Sequence, residues 1–244
     1  NKTVNYINTT YKEMLNQMNE IGTALIEKGF KNKRIAVIGD NSYKWVVSYF
    51  SIVNGVGIGV PLDKGLEKDE LESCIKRSNT ELVFYDEKHS SVIEKLFQSG
   101  KTNIKEIVAI DFISEIGSKI EDLLSLGRKL LDAGDRRYLD AEINCDAMSF
   151  LLFTSGTTAE SKAVMLSQKN VMNNLFGMAE FEVFFQKDIN MVFLPLHHSF
   201  GMMGLLVFLS HGMKNVFCDG LKYIQSNLVE YKVTVFSSVP LLLE

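Results

Sequence analysis

The residue types best suited to chemistry lie close together in the second half of the chain. Leu151, Leu152 and Phe153 end an apolar run that opens into Thr154, Ser155, Gly156, Thr157, Thr158, Ala159, Glu160, Ser161 and Lys162. Hydroxyl donors, backbone N–H groups freed by a turn and one mobile ammonium can together wrap the oxygens of a polyphosphate. Each hydrogen bond to such a charged group is worth about 1.5–3 kcal/mol, so several acting together would hold a triphosphate. The same composition also suits a Ser/Thr-rich turn that caps the next helix, and from composition both readings stand.

Two familiar loops do not fit. A Walker A loop counted from Gly156 would put Ser161 at its second glycine and Ala163 at its metal-binding hydroxyl. A nucleophile elbow around Ser155 would have Phe153 and Thr157 at its two glycine positions. A Walker A loop and a serine hydrolase are therefore poorly supported.

The run Phe153, Thr154, Ser155, Gly156, Thr157, Thr158, with Lys162 and then Val164, Met165, Leu166 and Ser167, resembles the phosphate-binding signature of the acyl-adenylate-forming superfamily. That superfamily includes acyl-CoA synthetases, peptide-synthetase adenylation domains and beetle luciferases, and its usual pattern is T-S-G-[S/T]-T-G-x-P-K-G. The chain keeps the hydroxyls and the lysine and departs at Ala159, Ser161 and Ala163. Leu194, Pro195, Leu196, His197, His198, Ser199, Phe200 and Gly201 are similar to the family's second core motif, whose aromatic residue or histidine borders the carboxylate site. Val60, Pro61, Leu62 and Asp63, and the stretch 232–240, fall in the expected order, so most of the chain is matched.

The resemblance implies an enzyme in which a carboxylate attacks the α-phosphate of MgATP to give acyl-AMP and pyrophosphate, after which a thiol, usually coenzyme A, displaces AMP. Thr154, Ser155, Gly156, Thr157, Thr158 and Lys162 would contact the nucleotide, with Thr157 reaching Mg2+ through ATP. Lys162 and His198 would be the catalytic positions. The family's histidine maps onto His198 rather than His197, although either imidazole could instead sit buried and support its loop. The motif wording and the paired histidines look most like fatty acyl-CoA synthetases, which makes a fatty acid the expected partner. A non-catalytic nucleotide-binding relative and an adenylation domain that loads a carrier protein are the alternatives. The apolar stretches 181–185 and 202–208 could line an acyl channel or simply pack in the core. No counterpart of the family's Y-G-x-T-E segment precedes Glu244, so the chain reads as the N-terminal part of a longer enzyme, expected to be inactive alone.

The elements that position these residues alternate. Thr10 and Glu13 make a capping-box pattern that opens an amphipathic helix ending near Gly29. The β-branched run 34–39 has no polar face, as expected of a strand covered on both sides. Strands then follow near 57–61, 81–85, 106–110, 149–153, 191–194, 215–218 and 234–236. Helices are expected after Ser42 and near 67–77, 91–97, 114–131, from Ser167, from about Gly201 and up to Tyr231. This rhythm predicts an α/β fold: mostly parallel β-sheets flanked by helices, arranged as two packed βαβ lobes. The polar stretch 132–146 suggests a boundary, giving lobes 1–145 and 146–244.

Composition narrows the classes. Hydrophobic residues make up 46% and charged residues 23%, enough for a substantial core. A formal charge of −4, with no basic run, argues against nucleic acid as the partner. Cys74, Cys145 and Cys218 lie far apart, without metal-ligand spacing, which suits reduced thiols in a cytoplasmic protein. The uncharged stretch 189–213 is interrupted by Pro195, two histidines and glycines, so no transmembrane segment is expected. His89 and His211 stand apart from both motifs and receive no role.

Overall fold

The structure, a computed structural model, describes residues 6–154, 161–181 and 183–239. Helix α1 (Tyr11–Glu27) starts at the anticipated capping box: Thr10 accepts from the Glu13 N–H, and the Glu13 carboxylate accepts from the Thr10 N–H. The chain then alternates through β1 (Arg34–Ile38), α2 (Tyr43–Val53), β2 (Ile58–Pro61), α3 (Lys68–Ser78), β3 (Leu82–Tyr85), α4 (Ser90–Ser99) and β4 (Glu106–Ala109). Next come β5 (Ser118–Lys119), α5 (Ile120–Asp132), β6 (Met148–Thr154), β7 (Lys162–Ser167) and α6 (Gln168–Phe181). The series ends with β8 (Ile189–Val192), α7 (Ser199–Ser210), β9 (Lys214–Phe217) and α8 (Ile224–Glu230).

Strands β1 to β7 form one sheet in the order β5-β4-β3-β1-β2-β6-β7, parallel throughout except for the antiparallel β6–β7 pair. Strands β8 and β9 form a separate parallel pair. Alternation along the central strands explains their unbroken apolar sequence. Ile35 and Val37 of β1, with Leu82 and Phe84 of β3, face a core shared with α1, α2 and α5. Ala36, Ile38, Val83 and Tyr85 face the opposite core under α3 and α4. Both faces are covered by helices, so no position on these strands needs a polar side chain.

Three expectations change. The helix anticipated over 114–131 begins only at Ile120, because Gly117 takes a left-handed φ of +81° and Ser118 and Lys119 join the sheet edge. Ser114 is instead held by the Tyr85 and Glu94 side chains. Residues 162–167, read as part of a loop, form strand β7; the pairing with β6 that creates it is not a local property. The strand anticipated over 234–236 is reduced to an isolated bridge between Asn190 and Val235. There the Thr234 hydroxyl takes up the Ile189 N–H and donates to Asp188, while the Thr234 and Val235 N–H groups both donate to the Ile189 carbonyl in place of a regular ladder. Among the described residues no helix is long and apolar enough to cross a membrane.

Candidate active site

Strand β1 sits between β2 on one side and β3 on the other, so the chain reverses its direction across the sheet at β1. In open α/β sheets such a reversal leaves a crevice beyond the carboxyl ends of the strands. Asp40 and Asn41 follow β1, Asp63 and Lys64 follow β2, and Asp86 and His89 follow β3. These residues form a network. Asp86 accepts from the Asp40 N–H at 2.9 Å and pairs with His89 Nδ1 at 2.5 Å, while His89 Nε2 lies 2.9 Å from the Lys64 carbonyl. Asp40 is paired with Lys64 at 2.6 Å and with Lys88.

The histidine motif docks onto this edge through Asn41. Its amide Nδ2 donates to the Leu194 carbonyl at 2.8 Å, and its Oδ1 accepts from the Leu196 N–H at 3.3 Å. One side chain thus satisfies both backbone groups of a segment 153 residues away. Leu196 is buried in the core shared with α1 and α2, which anchors the motif from below. Gly201 lets the first turn of α7 lie against it, since a Cβ there would stand 2.3 Å from the Pro195 carbonyl oxygen.

The two histidines differ sharply. His197 is 8% exposed, and its Nε2 lies 3.4 Å from Asp63 Oδ2 without a hydrogen bond of normal geometry. Burial lowers its pKa to about 4, helped by the neighbouring His198 and Lys64 and opposed by the Asp63 carboxylate. His198 is exposed at the N-cap of α7, where its side chain makes no cap hydrogen bond. The two rings are 4.2 Å apart between centroids.

Thr154 and Lys162 are cross-strand partners at the loop end of the β6–β7 hairpin, and the Thr154 hydroxyl lies 3.5 Å from the Lys162 carbonyl. Directly opposed residues of an antiparallel pair share a face, as do residues two apart along each strand. Thr154 and Lys162 therefore share a face with Leu152 and, further down, Phe150 and Leu166. Those three residues line an apolar cleft of about 340 Å³, closed by Tyr49, by Val171 and Met178 of α6, and by Ser199, Phe200, Met202 and Met203 of α7. Met202 and Met203, read as channel-lining or core residues, are buried and also border this cleft. The hydroxyl of Tyr49, one of the lining residues, is itself buried without a hydrogen-bond partner. At the far end of the hairpin loop Ser161 is buried, with its hydroxyl 3.6 Å from the Cys74 sulfur on α3.

Of the residues proposed from sequence, the structure thus brings Thr154 and Lys162 together, and it sets His198 immediately before the α7 turn that borders the cleft. Ser155, Gly156, Thr157 and Thr158 lie outside the described residues. Sequence reasoning missed Asn41 and the Asp86–His89 pair and gave no role to Asp63, placed only as the end of the matched segment 60–63; each acts through partners brought in by the fold. The only local sign was the run Asp40, Asn41, Ser42 after a buried strand, in which Ser42 does cap α2 through the Trp45 N–H at 3.1 Å. His211, given no role, hydrogen-bonds the Val207 carbonyl at the end of α7.

Comparison with known proteins gives this geometry a setting. The chain is 27% identical to long chain acyl-CoA synthetase 4 of Arabidopsis thaliana, with 98% of the chain and 38% of that protein aligned. It is 28% identical to long-chain-fatty-acid–CoA ligase 5 of Rattus norvegicus, covering 96% of the chain and 36% of the relative. The chain therefore spans less than two-fifths of the length of these curated relatives. In fold it is similar to the N-terminal domain of FACL13 from Mycobacterium tuberculosis, with a TM-score of 0.81 at 19% identity over 97% of this chain and 57% of that one. ATP-bound MatB from Rhodopseudomonas palustris gives 0.76 at 24% identity over 95% of this chain and 44% of that one. The model of the family described as AMP-binding enzyme matches residues 2–244, and the chain accordingly belongs to that family.

Proposed function

We propose that this chain forms the nucleotide- and carboxylate-binding part of an ATP-dependent, AMP-forming fatty acid–CoA ligase. The observation that carries the proposal is the shared face: Thr154 and Lys162 stand on the same side of the hairpin as the apolar cleft, and His198 precedes the turn of α7 that borders it. A polyphosphate held at the hairpin mouth would thus lie beside a pocket able to take an alkyl chain. The long-chain acyl-CoA synthetases among the relatives support a fatty acid as the substrate, and the ATP-bound neighbour supports ATP.

In this reading a carboxylate oxygen attacks the α-phosphorus of MgATP, the bond from that phosphorus to the bridging oxygen breaks, and pyrophosphate leaves. Lys162 and the Thr154 hydroxyl hold charge that builds on the departing phosphates, which is electrostatic catalysis by positioned donors. Thr157, within the loop, is the proposed contact toward Mg2+ of the nucleotide. The first turn of α7 presents its positive dipole end beside His198, where an incoming carboxylate is favoured. The sulfur of coenzyme A then attacks the acyl carbonyl and AMP departs.

The test is carboxylate-dependent exchange of labelled pyrophosphate into ATP by the full-length protein carrying this chain, across acids of increasing length. Exchange that requires a long acid and collapses in Lys162→Ala supports the reading. Absence of exchange with every acid, in a folded protein that binds ATP, points instead to a non-catalytic nucleotide-binding relative. Transfer of the acyl group to a carrier protein in preference to coenzyme A would reassign the acceptor.

A further inference from the structure

We propose that Asp63, His197 and His198 form a binding site for a divalent transition-metal ion of the Zn2+ class at the carboxyl end of β2. The three side chains offer ligand atoms that all lie within 4.8 Å of one another. His197 Nε2 and Asp63 Oδ2 are 3.4 Å apart. Two ligands of a tetrahedral ion with bonds of about 2.0–2.1 Å stand about 3.3 Å apart, so this pair already has the spacing that such an ion needs. The contact is not explained as a hydrogen bond, because His197 Nε2 is buried without one.

The supporting shell is in place. Asp63 Oδ1 accepts from the Gly65 N–H at 2.8 Å, which orients the carboxylate and leaves Oδ2 toward the imidazole. Asn41 pins the backbone on the other side by bonding Leu194 and Leu196. Lys64, whose ammonium is felt at His197, has its charge offset by the ion pair with Asp40 at 2.6 Å. His198 is exposed, so it can turn its ring to the ion and leave a fourth position open to solvent. The contrast with His89 is informative: both nitrogens of that ring are engaged, by Asp86 and by the Lys64 carbonyl, and it has nothing left to offer a metal.

Two imidazoles and one carboxylate select Zn2+ or Co2+ over Mg2+ or Ca2+, which prefer oxygen ligands. The site is therefore distinct from the magnesium that accompanies a nucleotide. Under the function proposed above, an ion held here would keep His198 from the incoming carboxylate and so inhibit activation. The metal site itself does not rest on that reading, and its test uses the metal alone.

The experiment is titration of the chain with Co2+, followed by its visible absorption and then by displacement with Zn2+. The expected result is one equivalent of Co2+ with the intense bands of four-coordinate geometry, bleached by Zn2+. Affinity should fall at least about tenfold in Asp63→Asn, His197→Gln and His198→Gln, and stay unchanged in Cys145→Ser and Cys218→Ser. His197 is buried, so the exposed His198→Gln decides if the His197 variant misfolds, with thermal melting confirming its fold. Affinity undiminished in His198→Gln and Asp63→Asn would overturn the site, as would bands of six-coordinate Co2+ only, or binding lost in a thiol variant.

Discussion

At the centre of the seven-stranded sheet, Ile35, Val37, Leu82 and Phe84 are wholly buried, whereas at its β7 edge Lys162, Ala163, Val164 and Met165 stand exposed. The central strands are stabilised by helices on both faces. The edge strand is held chiefly by its ladder to β6, with Leu166 and Ser167 only partly covered. The difference separates two tasks. The centre supplies the free energy that keeps the carboxyl edge of the sheet rigid, and the β6–β7 hairpin presents Thr154 and Lys162 to a ligand without contributing much burial of its own.

The sharpest way to break this division is at the centre. Phe84→Ala removes a side chain with no exposure and is expected to cost about 3–5 kcal/mol in urea unfolding. A cost below about 1 kcal/mol would mean that the centre is not where the stability resides. Lys162→Ala should reverse the pattern, lowering carboxylate-dependent exchange by about 10²–10³-fold while leaving the unfolding midpoint unchanged. If stability falls with activity, the lysine is a structural part of the hairpin and the division fails.

Asn41 tests the joint between the two regions. Asn41→Ala frees the Leu194 carbonyl and the Leu196 N–H, and should cost about 1–3 kcal/mol together with a loss of exchange. Asn41→Asp keeps the acceptor for Leu196 but not the donor for Leu194, so it should recover only part of both. Equal activity in all three proteins would show that the histidine loop does not depend on the clamp.

The Asp86–His89 pair sharpens the comparison through pH. Burial disfavours the imidazolium, but the Asp86 carboxylate and the Lys64 carbonyl outweigh it and raise the His89 pKa above its ordinary 6.5. Burial likewise opposes ionisation of Asp86, yet His89 and the Asp40 N–H hold its pKa below the ordinary 3.8. The His89 contribution is fully present below pH 6.5 and fades as pH rises through the elevated folded value. The Asp86 contribution is fully present above pH 3.8 and fades as pH falls through the depressed one. The pair therefore stabilises most between those limits. Imidazole NMR should place the His89 midpoint above 6.5, and a midpoint at or below that value would remove the basis of the effect. The smallest change is expected at the edge itself: Met165→Ser, at a residue 69% exposed, should alter stability by no more than about 0.5 kcal/mol.

Much of this was legible in the chain. The capping box of α1, the strand–helix rhythm through β4 and the hydroxyl-rich run before Lys162 are local patterns, set by side-chain chemistry at fixed short spacing. The features that were not legible are those made by distance. Strand β7 exists because residues 162–167 fold back on β6, and its exposed edge face carries no clean alternation to announce it. Gly117 put off the start of the expected helix to Ile120, and a left-handed glycine looks like any other until its φ is known.

For the site, the residue types in the hydroxyl run and in the histidine pair were enough to indicate phosphate and carboxylate chemistry, because donors, ammonium and imidazole are properties of the residues themselves. Only the tertiary structure decided that His197 is buried against Asp63 while its neighbour His198 faces solvent. Only the fold could give Asn41 two backbone partners some 150 residues away. Burial and long-range hydrogen bonding depend on which surfaces the packed sheet brings together, and neither is encoded in the spacing of any short motif.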